Sequence, residues 1–451
     1  MAFTLPVWGS KPLNWCTDMK KTILMSLTML TLAILPSNAQ WLRVWKAGES
    51  NRVALADAAS IPYDAAGKTL TIEGTAYSTA EIDSITIVSP ITISWNGATA
   101  SVNIPENVQG VTAEVKNGDV VITNTNEWAE QELILSGIGT GSLTYNGSYK
   151  TKFHLNGVTL TANSGAALDI KCGKRIDLIL EDGTVNSLTD AANGSQKAAL
   201  NCQGHLEVSG SGNLTIAGKT AHGLRTKEYL FIKKSVGSIS VTEAVGDAIH
   251  CGEYFTMNGG NITLSGYGAD GLQMETAFNS EEENNGIFTI NGGTLNVTQS
   301  KAGGKAVRAD STVAVMNING GTINITLEDN ATDSKGLVSD GTININESSA
   351  TTAINIDVLS NGYKDKYDEK IRSTGIKAET SINIAAGTIK VNAKGKYSRG
   401  IRSSRLAISG GTLTVTNTGD NSQGIKLYDK SYYSKTGGTV TADSFKYDTD
   451  D

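Results

Sequence analysis

"GGTLTVTNTGDNSQGIKLYD", Gly410 to Asp429, sets a Gly-Gly pair before an alternating apolar run, then a polar stretch, then a second short apolar run opened by Gly. Nearly the same phrase stands at "GGNITLSGYGADGLQME" (Gly259 to Glu275) and "GGTINITLEDNATDSKGLVSD" (Gly320 to Asp340). Alternation with period two sends successive side chains to opposite faces of a strand, and Gly-rich polar stretches are where such a strand turns. Outward from these copies, a Thr-apolar-polar-apolar word places Leu214, Ile239, Ile262, Leu295, Ile323, Ile354, Ile389, Leu413 and Val440 in one column. A small-apolar-polar word places Ile170, Leu200, Leu224, Ile249, Leu272, Val307, Leu337, Ile376, Ile401 and Ile425 in another. A further strand lies between them, as in "YFTMNGG", "GIFTINGG" and "SINIAAG". Most neighbours in a column are roughly 23 to 30 residues apart, so each period holds three short strands and describes one turn of a β-solenoid.

One such turn cannot bury its own apolar stripe. Turns must stack about 4.8 Å apart, pairing parallel strands around a narrow core of Ile and Val. Asn258, Asn291 and Asn319 recur just before a Gly-Gly pair, where stacked amides hydrogen-bond along the column and Gly supplies the corner's positive φ. The handedness of parallel crossovers makes the coil right-handed.

Composition agrees with an all-β chain. Of 451 residues 49 are Gly and only 6 are Pro, with 18% charged and 6% aromatic. A net charge of -7 argues against nucleic acid as a partner, because phosphate binding needs a broad basic field. From Met19, two lysines, an apolar stretch from Ile23 to Leu35 and a Ser-Asn-Ala site ending at Ala39 have the layout of a signal peptide. That apolar run is short of the roughly 20 residues a membrane span needs, so an exported chain without a membrane span is expected. Residues 1–39 are read as an upstream extension plus signal peptide, 40–90 as an N-terminal extension or cap without the period, and 91–451 as the solenoid. Nothing in the sequence sets an oligomeric state.

The run "KFHLNGVTLTANSGAALDIKCGKRIDLILEDGTVNSLTD", followed by "QKAALNCQGHLEVSGSGNLTI" and "GDAIHCGEYFTMNGGNITL", resembles secreted bacterial carbohydrate-binding proteins of pectate-lyase-like architecture. The resemblance spans roughly residues 130–430. It implies an all-β fold, a right-handed single-stranded parallel β-helix with three short strands per turn and about ten or more turns. It also implies binding of acidic plant polysaccharide, notably polygalacturonate, and of cellulose, with bound calcium (Ca2+) and without cleavage. The family's Asp-Gly-Ile word stands most fully as Asp270-Gly271-Leu272 and in part as Asp247-Ala248-Ile249; later turns carry Lys335-Gly336, Thr374-Gly375, Arg399-Gly400 and Gln423-Gly424 in its place.

With the apolar residue of each first strand inside, the next residue points out: Lys171, Asn201, Arg225, His250, Gln273, Arg308, Val338, Lys377, Arg402 and Lys426. A row rich in Lys and Arg on an acidic protein suits a linear polyanion lying along the axis, since guanidinium groups grip carboxylates bidentately. The ligand-binding candidates are Lys171, Arg225, His250, Arg308, Lys377, Arg402 and Lys426. The alternative account is that charges on a solvated strand block edge pairing. Calcium candidates are Asp247 and Asp270 on successive turns, with Glu275, Asp329 and Asp333 from the enlarged loops "ETAFNSEEENN", "LEDNATDSK" and "SNGYKDKYDEKIRS" or the strands beside them. Solvated acidic loops explain the same run. Tyr363, Tyr367 and Tyr397 are candidates to stack on sugars or to cover the core.

The hydrolase words of this fold, Asn-Thr-Asp, paired Asp and Gly-His-Gly, are absent, so no hydrolase is expected. A calcium-dependent lyase stays open, because Arg or Lys in the same row would supply its base, and a passive surface adhesin is the third reading. Cys172, Cys202 and Cys251 are expected as buried thiols at one position of their turns. Without Cys-x-x-Cys or paired-His patterns, and with His154, His205, His222 and His250 dispersed, no zinc site is expected.

Overall fold

The computed structural model describes residues 41–46, 49–54, 63–72, 75–278, 280–347 and 351–448. The signal-peptide reading of residues 1–39 lies outside them. The described chain is all-β; its only helical element is a three-residue 3-10 turn, Lys430–Tyr432. No helix among the described residues is long and apolar enough to cross a membrane.

Most of the molecule is one large, mostly parallel sheet system in which each strand pairs with its counterpart one turn later. Three ladders result. The first-strand ladder runs Leu143, Leu168, Leu200, Leu224, Ile249, Leu272, Val307, Leu337, Ile376, Ile401, Ile425 and Phe445. The second runs from Ile176 through Leu206, Leu230, Phe255, Phe288, Met316, Ile343 and Ile382 to Leu406 and Tyr433. The third joins Leu214 to Val440 through the residues expected from the Thr-apolar words. Nearly every inward member is fully buried, and together they form one continuous core. The opening stretch supplies a third strand, Thr412–Asn417, and the next first strand, Gln423–Leu427.

The corners follow the same logic. Asn291 Nδ2 donates to Asn258 Oδ1 (2.8 Å), Asn319 Nδ2 to Asn291 Oδ1 (3.0 Å) and Asn346 Nδ2 to Asn319 Oδ1 (3.1 Å). Two residues on, Gly260, Gly293 and Gly321 take φ of 80, 88 and 86°, the left-handed region that a side chain disfavours. Two more Asn columns join outward faces: Asn261 to Asn296, Asn324 and Asn355, and Asn317 to Asn344 and Asn383.

The N-terminal part differs. Trp41–Lys46 pairs antiparallel with Glu49–Ala54 and Ser84–Val88. Antiparallel pairs continue past residue 91: Ile91–Gly97 with Thr99–Asn103, and Val111–Lys116 with Asp119–Asn124, before pairing within the large sheet becomes purely parallel. At the other end Ala442 replaces the usual Ile or Val of the third ladder, and Phe445–Tyr447 lies on the last first strand.

One column needs correction. Leu168, not Ile170, pairs with Leu200, so Ile170 faces Cys202 and the outward position expected for Lys171 belongs to Asp169. The phrases "GAALDIKC" and "KAALNC" share Ala-Ala-Leu, and aligning those words gives the observed register. A slip of two residues keeps every side chain on its face, so alternation alone does not detect it. Cys172 consequently falls outside the column of Cys202, Thr226 and Cys251. All three cysteines are free and buried, and burial pushes the Cys202 thiol up to about 12.

Candidate functional site

The outward neighbours of the first-strand ladder form the row Asp169, Asn201, Arg225, His250, Gln273, Arg308, Val338, Lys377, Arg402, Lys426 and Lys446. Six of the seven proposed ligand-binding residues stand in it, one per turn. Lys171 lies two residues along from Asp169, still on that face, with Nζ 3.6 Å from Asp169 Oδ2. At the N-terminal end the face hollows into a groove of about 410 Å³. Thr144, Asp169, Asn201 and Gln203 line it from the first strands and their ends, and Ser164, Ser195, Gln196 and Lys197 from the preceding corners.

The row is not the bare cationic strip that its Lys and Arg content suggests. Arg308 Nη2 reaches Asp310 (2.8 Å) and Asp340 (3.3 Å), Lys377 pairs with Glu379 (2.6 Å), and Lys426 with Asp448 (3.0 Å). Arg402 pairs with the same Asp448. Carboxylates two residues along the same strand share the face by periodicity, whereas Asp448 arrives from the last rung. Arg225 has no carboxylate within ion-pair distance among the described residues, though its charge acts on Glu275 from further off; its Nη1 donates to Asn201 Oδ1 (3.3 Å), whose Nδ2 donates to Asp169 Oδ1 (2.8 Å). Val338 is 3% exposed despite its outward register.

The calcium candidates are not gathered into one site. Asp247 and Asp270 are buried corner caps: Asp270 N donates to Asp247 Oδ1 (2.9 Å) and Lys305 N to Asp270 Oδ1 (2.8 Å). The remaining Asp247 oxygen meets His250 Nδ1 at 2.9 Å and His222 Nδ1 at 3.3 Å. Where Asp270, Asp310 and Asp340 converge, the Arg308 guanidinium already stands among them. Asp333 binds the Lys335 ammonium (2.7 Å) and Asp329 caps Asn330 N (2.9 Å), both on a separate corner. Glu275 faces His250 Nε2 at 3.6 Å.

His222 and His250 are not dispersed: their rings stack 4.6 Å apart around Asp247. Stacking brings together residues of adjacent turns, a pairing no linear motif displays. Burial works to raise the Asp247 carboxyl, but the His222 and His250 imidazoles beside it and the hydrogen bond from Asp270 N hold it well below the usual carboxylate range. Burial likewise opposes the charged form of His250, and the Asp247 and Glu275 carboxylates override it, lifting the imidazole to about 9. Because both Asp247 oxygens have partners and His222 Nδ1 accepts from Asp247 N (3.0 Å), this trio is satisfied as it stands. The loop tyrosines divide: Tyr363 and Tyr367 are exposed, while Tyr397 carries Lys396 and Arg372 over its ring.

Residues 116–424 match the family model described as carbohydrate-binding domain-containing protein. Among solved structures, the polysaccharide lyase-like protein from C. thermocellum, determined as a gadolinium derivative, is similar at 23% sequence identity. That similarity covers 58% of this chain and 99% of the other, with a TM-score of 0.45. No curated protein matches. With its all-β parallel stack and a family match over most of its length, the chain belongs to the carbohydrate-binding domain-containing protein family.

Proposed function

We propose that this is an exported, non-catalytic polysaccharide-binding protein, a right-handed parallel β-helix that holds an acidic, polygalacturonate-like chain along its first-strand face. The observation carrying the reading is the in-register row from Asp169 through Asn201 and Arg225 to Lys377, opening at one end into the polar groove. Rungs repeat about every 4.8 Å, close to the rise of a 1,4-linked pyranose unit, so one sugar meets one rung. Arg225, Lys171 and Lys377 are the cations best placed to take a uronate carboxylate. Arg225 has no carboxylate within ion-pair distance among the described residues, and the pairs of Lys171 and Lys377 are partly solvated and correspondingly weak. Arg308, Arg402 and Lys426 are more fully engaged with Asp and serve chiefly to order the face.

Affinity electrophoresis in polygalacturonate tests this. Retardation of the native chain, lost in Arg225→Ala combined with Lys377→Ala, supports the reading; equal retardation of the double variant overturns the assignment of the face. A parallel gel with cellulose separates recognition of charge from recognition of a neutral chain, and one with chelator tests the calcium expectation. Release of unsaturated uronate would make the protein a lyase instead.

A further inference from the structure

The inserted loop after the first strand Leu272–Glu275 does more than enlarge a corner. His205, Tyr229 and Tyr254 occupy one position on three successive turns, just before the inward residues Leu206, Leu230 and Phe255. Their rings stack at 4.4 Å spacing, which fixes the His205 imidazole against the protein wall. Glu228 and Glu253 hold the position before Tyr229 and Tyr254, so two carboxylates lie on adjacent turns beside that imidazole. The loop returns across these turns and adds a third, Glu282.

The geometry is convergent. His205 Nε2 lies 2.7 Å from Glu228 Oε2 and 3.9 Å from Glu282 Oε1. Potential ligand atoms of His205, Glu253 and Glu282 all fall within 4.8 Å of one another. Glu253 is 9% exposed and takes a φ of 52°, unusual for a residue with a side chain. Its Oε1 accepts from Ser280 Oγ (2.8 Å), which in turn accepts from Glu282 N (3.1 Å), while Gly286 N donates to Glu253 O (2.6 Å). Its Oε2 is buried with no hydrogen-bond partner. Among the described residues no Lys or Arg lies within ion-pair distance of Glu228, Glu253 or Glu282, Lys227 acting on Glu228 only from further off. Three carboxylates around one imidazole therefore leave excess negative charge and an orphaned buried oxygen, which a bound cation would satisfy.

We propose that His205, Glu253 and Glu282, with Glu228 as the fourth donor, form a site for one divalent first-row transition ion, of which Zn2+ is the probe. The imidazole sets the class: nitrogen with carboxylate donors suits Zn2+ and its neighbours, whereas Ca2+ takes six to eight oxygens. Tetrahedral ligands roughly 2.0–2.2 Å from zinc stand about 3.4 Å apart, so the His205–Glu228 contact opens and the His205–Glu282 contact closes, each by less than about 1 Å. The ion clamps the 280–286 part of the insertion onto the stack, joining a loop to a turn three rungs away.

The test is titration calorimetry on the metal-stripped full chain with ZnCl2 and, separately, CaCl2. One Zn2+ per chain is expected, at least 10-fold tighter than Ca2+ and weakened at least 10-fold in His205→Asn and in Glu253→Gln. Glu282→Gln, on the loop, provides a variant whose fold does not rest on the altered side chain. Limited proteolysis gives a second readout: Zn2+ slows cleavage within 276–286 in the native chain and has no effect in the variants. Absence of saturable Zn2+ binding, unchanged binding in Glu282→Gln together with either of the other two variants, or equal affinity for Ca2+ overturns the proposal.

Discussion

The Asn column at the corner offers a stability prediction whose size follows from counting bonds. Asn258, Asn291, Asn319 and Asn346 are joined by three amide–amide hydrogen bonds, each from one Nδ2 to the Oδ1 of the turn below. Asn291→Ala removes two of them and leaves a partly buried acceptor on Asn258 and a donor on Asn319. At about 1 kcal/mol per net hydrogen bond, that costs about 2 kcal/mol, and Asn319→Ala costs at least as much. The double variant loses three bonds, not four, so it should fall short of additivity by about 1 kcal/mol. Asn258→Ala, at the end of the column, removes one bond and costs about 1 kcal/mol. Urea unfolding followed by both fluorescence and circular dichroism measures these values from midpoint shifts at constant m. Strict additivity of Asn291→Ala and Asn319→Ala, or equal costs for Asn291→Ala and Asn258→Ala, would refute a column held by shared amides.

Two further outcomes are expected. Phe288→Ala, which empties a fully buried site stacked 4.8 Å from Phe255, should cost about 3–5 kcal/mol in the same urea assay, and a loss below about 1 kcal/mol would mean the core is not continuous there. His250 is held up to about 9, above the ordinary value near 6.5, so the charged imidazole contributes stability that is complete below about pH 6.5 and lost as pH rises through 9. Melting temperature between pH 6 and 10 should fall more steeply for the native chain than for His250→Gln; parallel curves would remove the Asp247–His250 pair as the cause.

How much of this was legible beforehand depends on where the information sits. The apolar columns, the Gly corners and the first three members of the Asn column were readable because each rung carries its own period-two pattern and turn residues. A ladder forms by repeating a local rule. The N-terminal antiparallel pairs showed themselves only as strand-like words without a period. The place of Lys171 was misjudged because Ile170 and Leu168 are both apolar and two residues apart, and only stacking against Leu200 chooses between them.

The linear sequence by itself determined which residues face inward, how many strands make a turn and which side chains share the outer face, since those follow from alternation within each strand. The tertiary structure alone decided what stands opposite those rows. Asp448 meets Arg402 and Lys426, His250 settles on His222, and Glu282 folds back toward His205. These meetings depend on corner length and loop path, which differ from turn to turn, so charge and chemistry on the surface are properties of the stack and not of any single rung.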